Sequence, residues 1–259
     1  PCNDCGHCLR GHHTLCGTLH STSFDPGGFA EYVRVPKINV DKGGILPLPE
    51  DISFDVGTFV EPLGCAVRGL RRIGMQPGDS VLVLGSGLAG LLNIRLARAL
   101  GTGCIVATDI QPYRLQAALN SGARTVIDAR SENVVEQALA ANDGNGFEHV
   151  VVCTPASVAF PQALSGVGVG GNVLLYAFSG PGAETPLDLH DYFRKGITIR
   201  STYGASPLDL QQAMKMLRVG RVDVEDLITH RLPLEETGLG FTLVANGEES
   251  LKVIIEPGR

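Results

Sequence analysis

The stretch 80–109 constrains the fold more than any other part of this sequence. Its apolar run Val81–Leu84 is typical of a parallel strand covered on both faces, and it leads directly into Gly85-x-Gly87-x-x-Gly90. A helix is predicted next, followed by a second buried strand at Ile105–Ala107. The order strand, tight turn, helix, strand predicts a doubly wound α/β domain with a parallel sheet.

The three glycines of this turn have different predicted roles. Gly85 permits the sharp turn, Gly87 lets the backbone approach a pyrophosphate, and Gly90 allows the helix to pack close to the strand. The free N–H groups at the helix start, at Leu88 and Ala89, are expected to face that anion. The turn therefore predicts a dinucleotide site. The alternative is an α/β domain whose glycines serve packing alone.

The identity of the dinucleotide depends on two charged residues. Asp109 lies 19 residues after Gly90 at the end of the second strand, where a carboxylate accepts hydrogen bonds from both ribose hydroxyls. A 2′-phosphate there would meet a like charge, so NAD is expected and NADP is less favoured. Arg114, on the next helix, is the competing signal because it could contact the adenine or accept a 2′-phosphate.

Strands and helices continue to alternate after Asp109. Strands are predicted at 125–127, 149–152, 172–178 and 197–202, with helices near 112, at 132–140 and at 158–164. Ligands of such sheets bind at the carboxyl ends of the strands. The residues predicted along that rim as cofactor contacts are Cys153, Thr154, Ala177, Phe178, Ser201, Thr202 and Tyr203. For each of them, ordinary loop chemistry is the alternative.

Four of the seven cysteines fall within the first 16 residues, at Cys2, Cys5, Cys8 and Cys16. This spacing places four thiolates around one tetrahedral ion, so a structural zinc is predicted. Two disulfides in a secreted protein are the alternative. They would leave Cys65, Cys104 and Cys153 unpaired, which is typical of reduced intracellular thiols.

The chain flanking the central domain has a different pattern. Residues 27–35 alternate as in a strand, and Pro36, Pro47 and Pro49 disfavour helices, so a β-rich region is predicted at 27–52. Residues 208–219 have helical periodicity, and 227–234 and 251–257 again resemble strands. The closing segment is expected to rejoin the β-rich region, which gives two domains in a chain of 259 residues.

Composition excludes several classes of partner. With 21 basic and 27 acidic residues the formal charge is −6, which argues against nucleic acid and anionic membranes. The apolar runs are short and interrupted by glycine, so no membrane span is expected, and no signal peptide is expected because cysteines follow Pro1 at once. A cytoplasmic protein is therefore expected.

The combined motifs resemble the zinc-dependent medium-chain dehydrogenases, which include alcohol, sorbitol and threonine dehydrogenases. The matching segments are the four cysteines with Gly11, Gly27–Tyr32, Glu61-Pro62-Leu63, Gly85–Gly90 with Asp109, Ser201–Gly204, His230–Glu236 and Lys252–Ile254. The resemblance implies a partial GroES-like domain at 1–57 with the zinc lobe at 1–17, a Rossmann domain at 58–204, and a return to the first domain at 205–259. It also implies a homo-oligomer.

The resemblance further implies residue roles and a reaction. Glu61 corresponds to a ligand of the catalytic zinc, and Lys252 to a cofactor contact; a helix-capping acid is the alternative for Glu61. The implied reaction passes a hydride between NAD and a secondary alcohol of polyol or amino-alcohol type. Two family segments that supply the remaining zinc ligands are not found, so the chain is expected to lack the N-terminal part. A catalytically incomplete NAD-binding module is therefore the alternative function, and a zinc-free reductase is disfavoured by the cysteines.

Overall fold

A computed structural model describes residues 1–177 and 179–258. The chain divides into two compact units. One unit is continuous, Ala66–Thr202, and the other combines Pro1–Cys65 with Tyr203–Arg259. The domain boundaries expected after residues 57 and 204 stay a prediction.

The first 65 residues are built from short helices and loops. Ser53 caps the fourth helix by accepting a hydrogen bond of 3.2 Å from the backbone N–H of Val56. A 3-10 turn at His13–Leu15 lies between the first two helices. The helices that begin in this region are α1 Gly6–Leu9, α2 Gly17–Ser21, α3 Lys37–Asp41, α4 Phe54–Gly57 and α5 Val60–Arg72.

The strand predicted at 27–35 does not form, which corrects the sequence analysis locally. One isolated antiparallel bridge joins Asp25 and Arg34, and Tyr32 is 85% exposed. An alternating sequence becomes a strand only where a neighbouring strand completes its hydrogen bonds. Among the described residues, the ladder at this segment is limited to that one bridge.

The unit 66–202 is a six-stranded sheet in the order β3-β2-β1-β4-β5-β6, and every neighbouring pair is parallel. All residues of its central strand are buried, as the apolar run predicted. The strands are β1 Ser80–Leu84, β2 Cys104–Asp109, β3 Thr125–Asp128, β4 Phe147–Val152, β5 Val167–Leu175 and β6 Thr198–Ser201.

Helices alternate with these strands, which confirms the predicted α/β class. Gly101 ends the first of them with φ +89°, a left-handed conformation that costs glycine little. Strand order reverses at β1, because β2 lies on one side of it and β4 on the other. Such a switch point opens a crevice at the carboxyl ends of the strands. The helices are α6 Leu88–Leu100, α7 Pro112–Ser121, α8 Val134–Ala141, α9 Ala159–Gly166 and α10 Leu189–Lys195.

The closing segment follows the predicted pattern with one addition. Ser206 and Asp209 form a capping box at the start of its first helix. Two strands pair in parallel, and a helix between them that the sequence analysis did not predict makes the crossover. The elements are α11 Pro207–Arg218, β7 Ile228–Pro233, α12 Thr237–Asn246 and β8 Lys252–Glu256. Over the described residues, no helix has both the length and the apolar character that a membrane span requires.

Candidate cofactor and metal sites

The turn between β1 and α6 has the geometry that its three glycines predict. Gly85 has φ +94°, so it occupies the left-handed region. A Cβ on Gly90 would overlap the carbonyl oxygen of Gly85, whereas a Cβ on Gly87 would meet only the Arg114 Nη1, at 4.0 Å. The helix and strand are therefore in close contact at Gly90, and the backbone at Gly87 is accessible.

The start of α6 is suited to an anion. Its N-cap residue, Gly87, has no side chain to accept hydrogen bonds from the first turn. Leu88 and Ala89 are the first two helical residues, and the helix continues for 13 residues. The partial positive charge of its N-terminus is thus available to a ligand such as a pyrophosphate.

Asp109 ends β2 and is tied to the backbone of this turn. Its Oδ2 accepts a hydrogen bond of 2.8 Å from the N–H of Ser86, and its Oδ1 accepts one of 2.9 Å from the N–H of Gln111. The residue is only 6% exposed. The carboxylate is therefore held in one orientation at the end of the strand, where the ribose was predicted.

Arg114 lies closer to the glycine turn than the sequence suggested. Its Nε is buried and has no hydrogen-bond partner among the described residues. Its Nη1 lies over Gly87, the position expected for the pyrophosphate. This placement supports a phosphate contact rather than a contact with the adenine alone.

The predicted rim residues of the continuous unit follow the carboxyl ends of β4, β5 and β6. Cys153 and Thr154 come directly after β4, and Ser201 and Thr202 lie at the end of β6. The Oγ1 of Thr202 is buried without a hydrogen-bond partner in the described part of the chain, so a ligand could supply one. Burial raises the pKa of the Cys153 thiol, which keeps it protonated.

Strand β5 ends earlier than predicted. The N–H groups of Tyr176 and Ala177 both donate to the carbonyl of Val152, at 3.1 and 2.8 Å. The regular ladder therefore ends at Leu175. Ala177 follows this end of the strand, whereas Phe178 lies outside the described residues. Tyr203 belongs to the other unit, where its ring stacks on His20 at 5.9 Å.

Two residues of this region were not identified from the sequence. Ser86 is fully buried and donates through its hydroxyl to the carbonyl of Thr108, at 3.1 Å. Asn93, 1% exposed on α6, donates to the carbonyl of Ala89 at 2.9 Å and to the Sγ of Cys153 at 3.8 Å. An asparagine inside the apolar helix sequence was the available signal for the second.

The four N-terminal cysteines form one compact cluster. All four Sγ atoms lie within 4.8 Å of one another. The sulfurs of Cys5 and Cys8, and those of Cys2 and Cys16, are 3.6 Å apart. Four thiolates at ~2.3 Å from a tetrahedral zinc are separated by about 3.8 Å. The donor set and its spacing therefore fit zinc, and all seven cysteines are free thiols.

The four thiols of the cluster differ in pKa. The backbone N–H groups of Cys2 and Leu19 lower the pKa of Cys16 to about 5. The backbone N–H of Cys8 lowers the pKa of Cys5. Burial raises the pKa of Cys8 to about 12, and a side-chain hydrogen bond with Asp4 raises that of Cys2. In the conformation described, Cys16 is thus ionised at neutral pH.

Glu61 lies in the first turn of α5, and its partner is a thiol. The Cys65 Sγ, one turn further along the helix, is 3.1 Å from its Oε1. The Lys252 Nζ lies 5.2 Å from the centre of the Phe59 ring and donates to the carbonyl of Thr58 at 3.4 Å. Within the described residues, the four-cysteine cluster is the single group of three or more metal-ligating side chains. Glu61 belongs to no such group there.

A doubly wound sheet with a glycine turn at its switch point, together with a four-thiol lobe, defines a dinucleotide-binding oxidoreductase with a structural metal site. The chain belongs to the zinc-binding dehydrogenase family, whose profile matches residues 89–218. Zinc and a nicotinamide dinucleotide are the cofactors of this family. The chain is thus an oxidoreductase of the alcohol dehydrogenase type, acting on small molecules.

Three known proteins illustrate this membership. The L-threonine 3-dehydrogenase of Bacillus velezensis is 34% identical over 259 residues, covering 99% of this chain and 72% of its own length. The structure of alcohol dehydrogenase TADH from Thermus sp. ATN1 matches with 30% identity and a TM-score of 0.86, over 98% of this chain and 75% of its own. A zinc-binding dehydrogenase of Sinorhizobium meliloti 1021 bound to NADP is 25% identical, with a TM-score of 0.85, and the match covers 99% and 74% of the two chains.

Proposed function

We propose that this chain oxidises a secondary alcohol of polyol or amino-alcohol type with NAD as the hydride acceptor. The observation that carries the proposal is the open glycine turn at the switch point of the sheet, with Asp109 held beside it. Bound NAD would supply the hydride-accepting nicotinamide. A catalytic zinc would supply a Lewis acid for the alcohol, and Glu61 is the one ligand proposed for it in this chain. The chain's own residues bind and orient these groups.

Each residue proposed to bind the cofactor has a definite task. The N–H groups of Leu88 and Ala89 donate to the pyrophosphate, Arg114 neutralises its charge, and Asp109 accepts from the ribose. The remaining contacts are assigned to the strand ends and the closing segment: Cys153, Thr154, Ala177, Phe178, Ser201, Thr202, Tyr203 and Lys252. Gly85 and Gly90 position the turn.

The preference for NAD over NADP rests on charge. Asp109 would repel a 2′-phosphate, and its backbone hydrogen bonds hold the carboxylate where that phosphate would come. The position of Arg114 Nη1 near Gly87 supports a contact with the pyrophosphate, which would leave this cation less available to a 2′-phosphate. The Sinorhizobium meliloti relative has a structure bound to NADP, so the preference of this chain for NAD over NADP requires a direct test.

The substrate class rests on resemblance. The Bacillus velezensis relative is named for threonine, a secondary alcohol next to an amine. The segment Glu61-Pro62-Leu63 resembles polyol-type members of the family. The proposal therefore names vicinal diols and amino alcohols ahead of simple primary alcohols.

A second candidate function is NAD binding without zinc-dependent turnover, because Glu61 is the one proposed ligand for a catalytic zinc. A catalytic zinc normally takes three protein ligands and an open position, and Glu61 supplies one carboxylate. The chain would then bind NAD without zinc-dependent turnover.

One experiment separates the two candidates. The purified chain is supplied with zinc, and NADH formation at 340 nm is followed with threonine, sorbitol, 2,3-butanediol and ethanol; NADH binding is measured in parallel by fluorescence. Turnover abolished by a chelator supports the dehydrogenase. NADH binding without turnover supports the second candidate, and failure to bind NADH contradicts both.

The proposal includes a homo-oligomer. Strand β6 is the last strand on its side of the described sheet, and an unpaired edge is a template for pairing with a second copy. Exposed Phe193 and Leu189 on the preceding helix add apolar surface. Light scattering during gel filtration measures the state directly, and a monomer at micromolar concentration would contradict this part.

A further inference from the structure

The N-terminal lobe, residues 1–22, consists of the zinc lobe predicted at 1–17 and the rest of α2, and it has almost no apolar core of its own. Its buried cluster consists of Cys2, Cys8 and Cys16, against which Cys5 and Leu19 pack. Its helices have four, three and five residues. Helices this short are unstable without tertiary support. The lobe therefore depends on metal ligation for its conformation.

Two residues of this lobe hold the chain that follows β6. The His20 imidazole stacks on the Tyr203 ring with centroids 5.9 Å apart and an interplanar angle of 24°. His20 is itself fixed by a bond of 2.9 Å between its Nε2 and the carbonyl of Thr14. Gly204, with φ +61°, approaches Thr14 so closely that a Cβ on the glycine would lie 3.3 Å from the Thr14 Cγ2.

Tyr203 and Gly204 directly follow Ser201 and Thr202, the predicted cofactor contacts at the end of β6. Tyr203 follows Thr202 directly, and Thr202 has the buried Oγ1 for which a bound ligand could supply a partner. Thr202 is fixed to the sheet by a bond of 3.2 Å from its N–H to the carbonyl of Leu175. The Thr202–Tyr203 peptide bond is therefore constrained on both sides, by the sheet at Leu175 and by the lobe residues that contact Tyr203 and Gly204.

We propose that His20 is a positioning residue through which occupancy of the four-cysteine zinc site controls cofactor affinity. With zinc bound, Thr14 and His20 hold Tyr203 and Gly204, and the end of β6 keeps the conformation that binds the cofactor. Without zinc the lobe loses its order, the stack on Tyr203 is lost, and cofactor affinity falls. This inference rests on the cofactor binding proposed above.

Thermodynamic linkage requires zinc and NADH to change each other's affinity equally, so zinc affinity is a second measurement of the proposed coupling. If zinc strengthens NADH binding by a given factor, NADH strengthens zinc binding by the same factor. A single aromatic contact of this kind corresponds to about a threefold to tenfold change in affinity. The zinc dissociation constant, measured by competition with a chromophoric chelator, should therefore decrease by that factor when NADH is added.

The test compares the wild-type chain with His20→Ala, and uses His190→Ala as the control. His190 is an exposed histidine on α10 that lies outside the lobe. NADH dissociation constants are measured by fluorescence with zinc bound and after chelation, and circular dichroism reports whether the central sheet stays folded. In the wild type, chelation is expected to raise the constant by about threefold to tenfold. His190→Ala should behave as the wild type.

The His20→Ala chain keeps all four thiols, so it tests the proposal even where chelation unfolds the protein. With zinc bound it should bind NADH more weakly than the wild type, and chelation should weaken binding less than twofold further. Equal NADH affinity in His20→Ala and wild type, or an unchanged wild-type constant after zinc removal, would overturn the inference. Failure of the zinc-loaded wild type to bind NADH would contradict the proposed function itself.

Discussion

The carboxylate of Asp109 accepts a hydrogen bond from the backbone N–H of Ser86 at 2.8 Å. The end of β2 is thereby tied to the glycine turn that follows β1. The same side chain that is proposed to bind the ribose also fixes the backbone of the turn where the pyrophosphate is expected. Substitutions at this position should therefore affect both cofactor selectivity and the order of the turn.

Asp109→Asn should narrow the preference for NAD over NADP. The amide removes the charge that repels a 2′-phosphate, and its N–H₂ group must face one of two backbone donors. The expected loss for NAD is about 1–3 kcal/mol, the value of a charge-assisted hydrogen bond. Parallel titrations with NADH and NADPH measure the change. Tighter NADPH than NADH binding in the unmodified chain would indicate that Arg114 determines the choice.

The two glycines Gly87 and Gly90 give a matched pair of alanine substitutions. Gly90→Ala forces a Cβ onto the Gly85 carbonyl, so strand and helix must separate and the melting temperature should fall by several degrees. In Gly87→Ala the nearest neighbour of the new Cβ is the Arg114 Nη1, at 4.0 Å, so stability should be unchanged. Its methyl group would occupy the pyrophosphate position, and NADH affinity should fall at least tenfold. Full NADH affinity in Gly87→Ala would contradict the placement of the phosphates.

The cysteine cluster should bind one zinc per chain, measured by elemental analysis after gel filtration. Cys8→Ala should abolish this zinc, whereas Cys104→Ala, which alters a buried thiol in β2, should retain it. A metal-free wild-type chain with two disulfides would contradict the assignment.

The pH dependence of zinc uptake follows from the thiol pKa values. Because zinc binds thiolates, uptake displaces protons from thiols such as Cys8, whose pKa is about 12, and zinc affinity falls as pH decreases. Cys16, with a pKa of about 5, has already lost its proton at pH 7. Uptake by a lobe that keeps this order without zinc would therefore release fewer than four protons. Uptake by a lobe that is disordered without zinc, as inferred above, should release nearly four, because a free thiol has a pKa of about 8.5. Calorimetry in two buffers of different ionisation enthalpy counts the released protons.

Lys252→Met should stabilise the chain near neutral pH. Burial lowers the pKa of this lysine, with Glu61 opposing the shift, so the folded state binds this proton less tightly than the unfolded state does. The charged form is therefore unfavourable for folding below the lowered pKa, and stability rises with pH between the folded and unfolded values. Removing the amine should raise the melting temperature at pH 7 and flatten this rise. Exposed Lys215→Met is the control, and NADH titration of both variants tests the proposed cofactor role.

Sequence patterns predicted the elements that depend on local information. The strands β1, β2 and β4 were identified because each contains a continuous apolar run, at 81–84, 105–107 and 150–152. Helix α11 was identified from its helical periodicity. The glycine turn was interpretable because the three positions have different steric requirements. The cysteine cluster was interpretable because its ligands lie within one short segment.

Other features depend on tertiary contacts that the local pattern does not encode. Residues 27–35 alternate correctly, yet a strand needs a partner, and in the described part of the chain only Arg34 of this segment pairs, with Asp25. Helix α12 has no charged residue and therefore no polar face to indicate a helix. The position of Arg114 over Gly87 and the hydrogen bonds of Asn93 depend on how helices pack, which spacing alone does not specify.

The two compact units differ in how they can form during synthesis on the ribosome. The unit 66–202 is continuous, so it can fold once its last strand has emerged. The other unit joins residues 1–65 to a segment that begins at Tyr203, and the described β7 pairs only with β8 near the chain end. At about 5–20 residues per second, the first 65 residues wait roughly 10 to 40 s for these partners. During that interval the four thiols of the lobe would be able to acquire metal or to oxidise before the segment that begins at Tyr203 can pack against them.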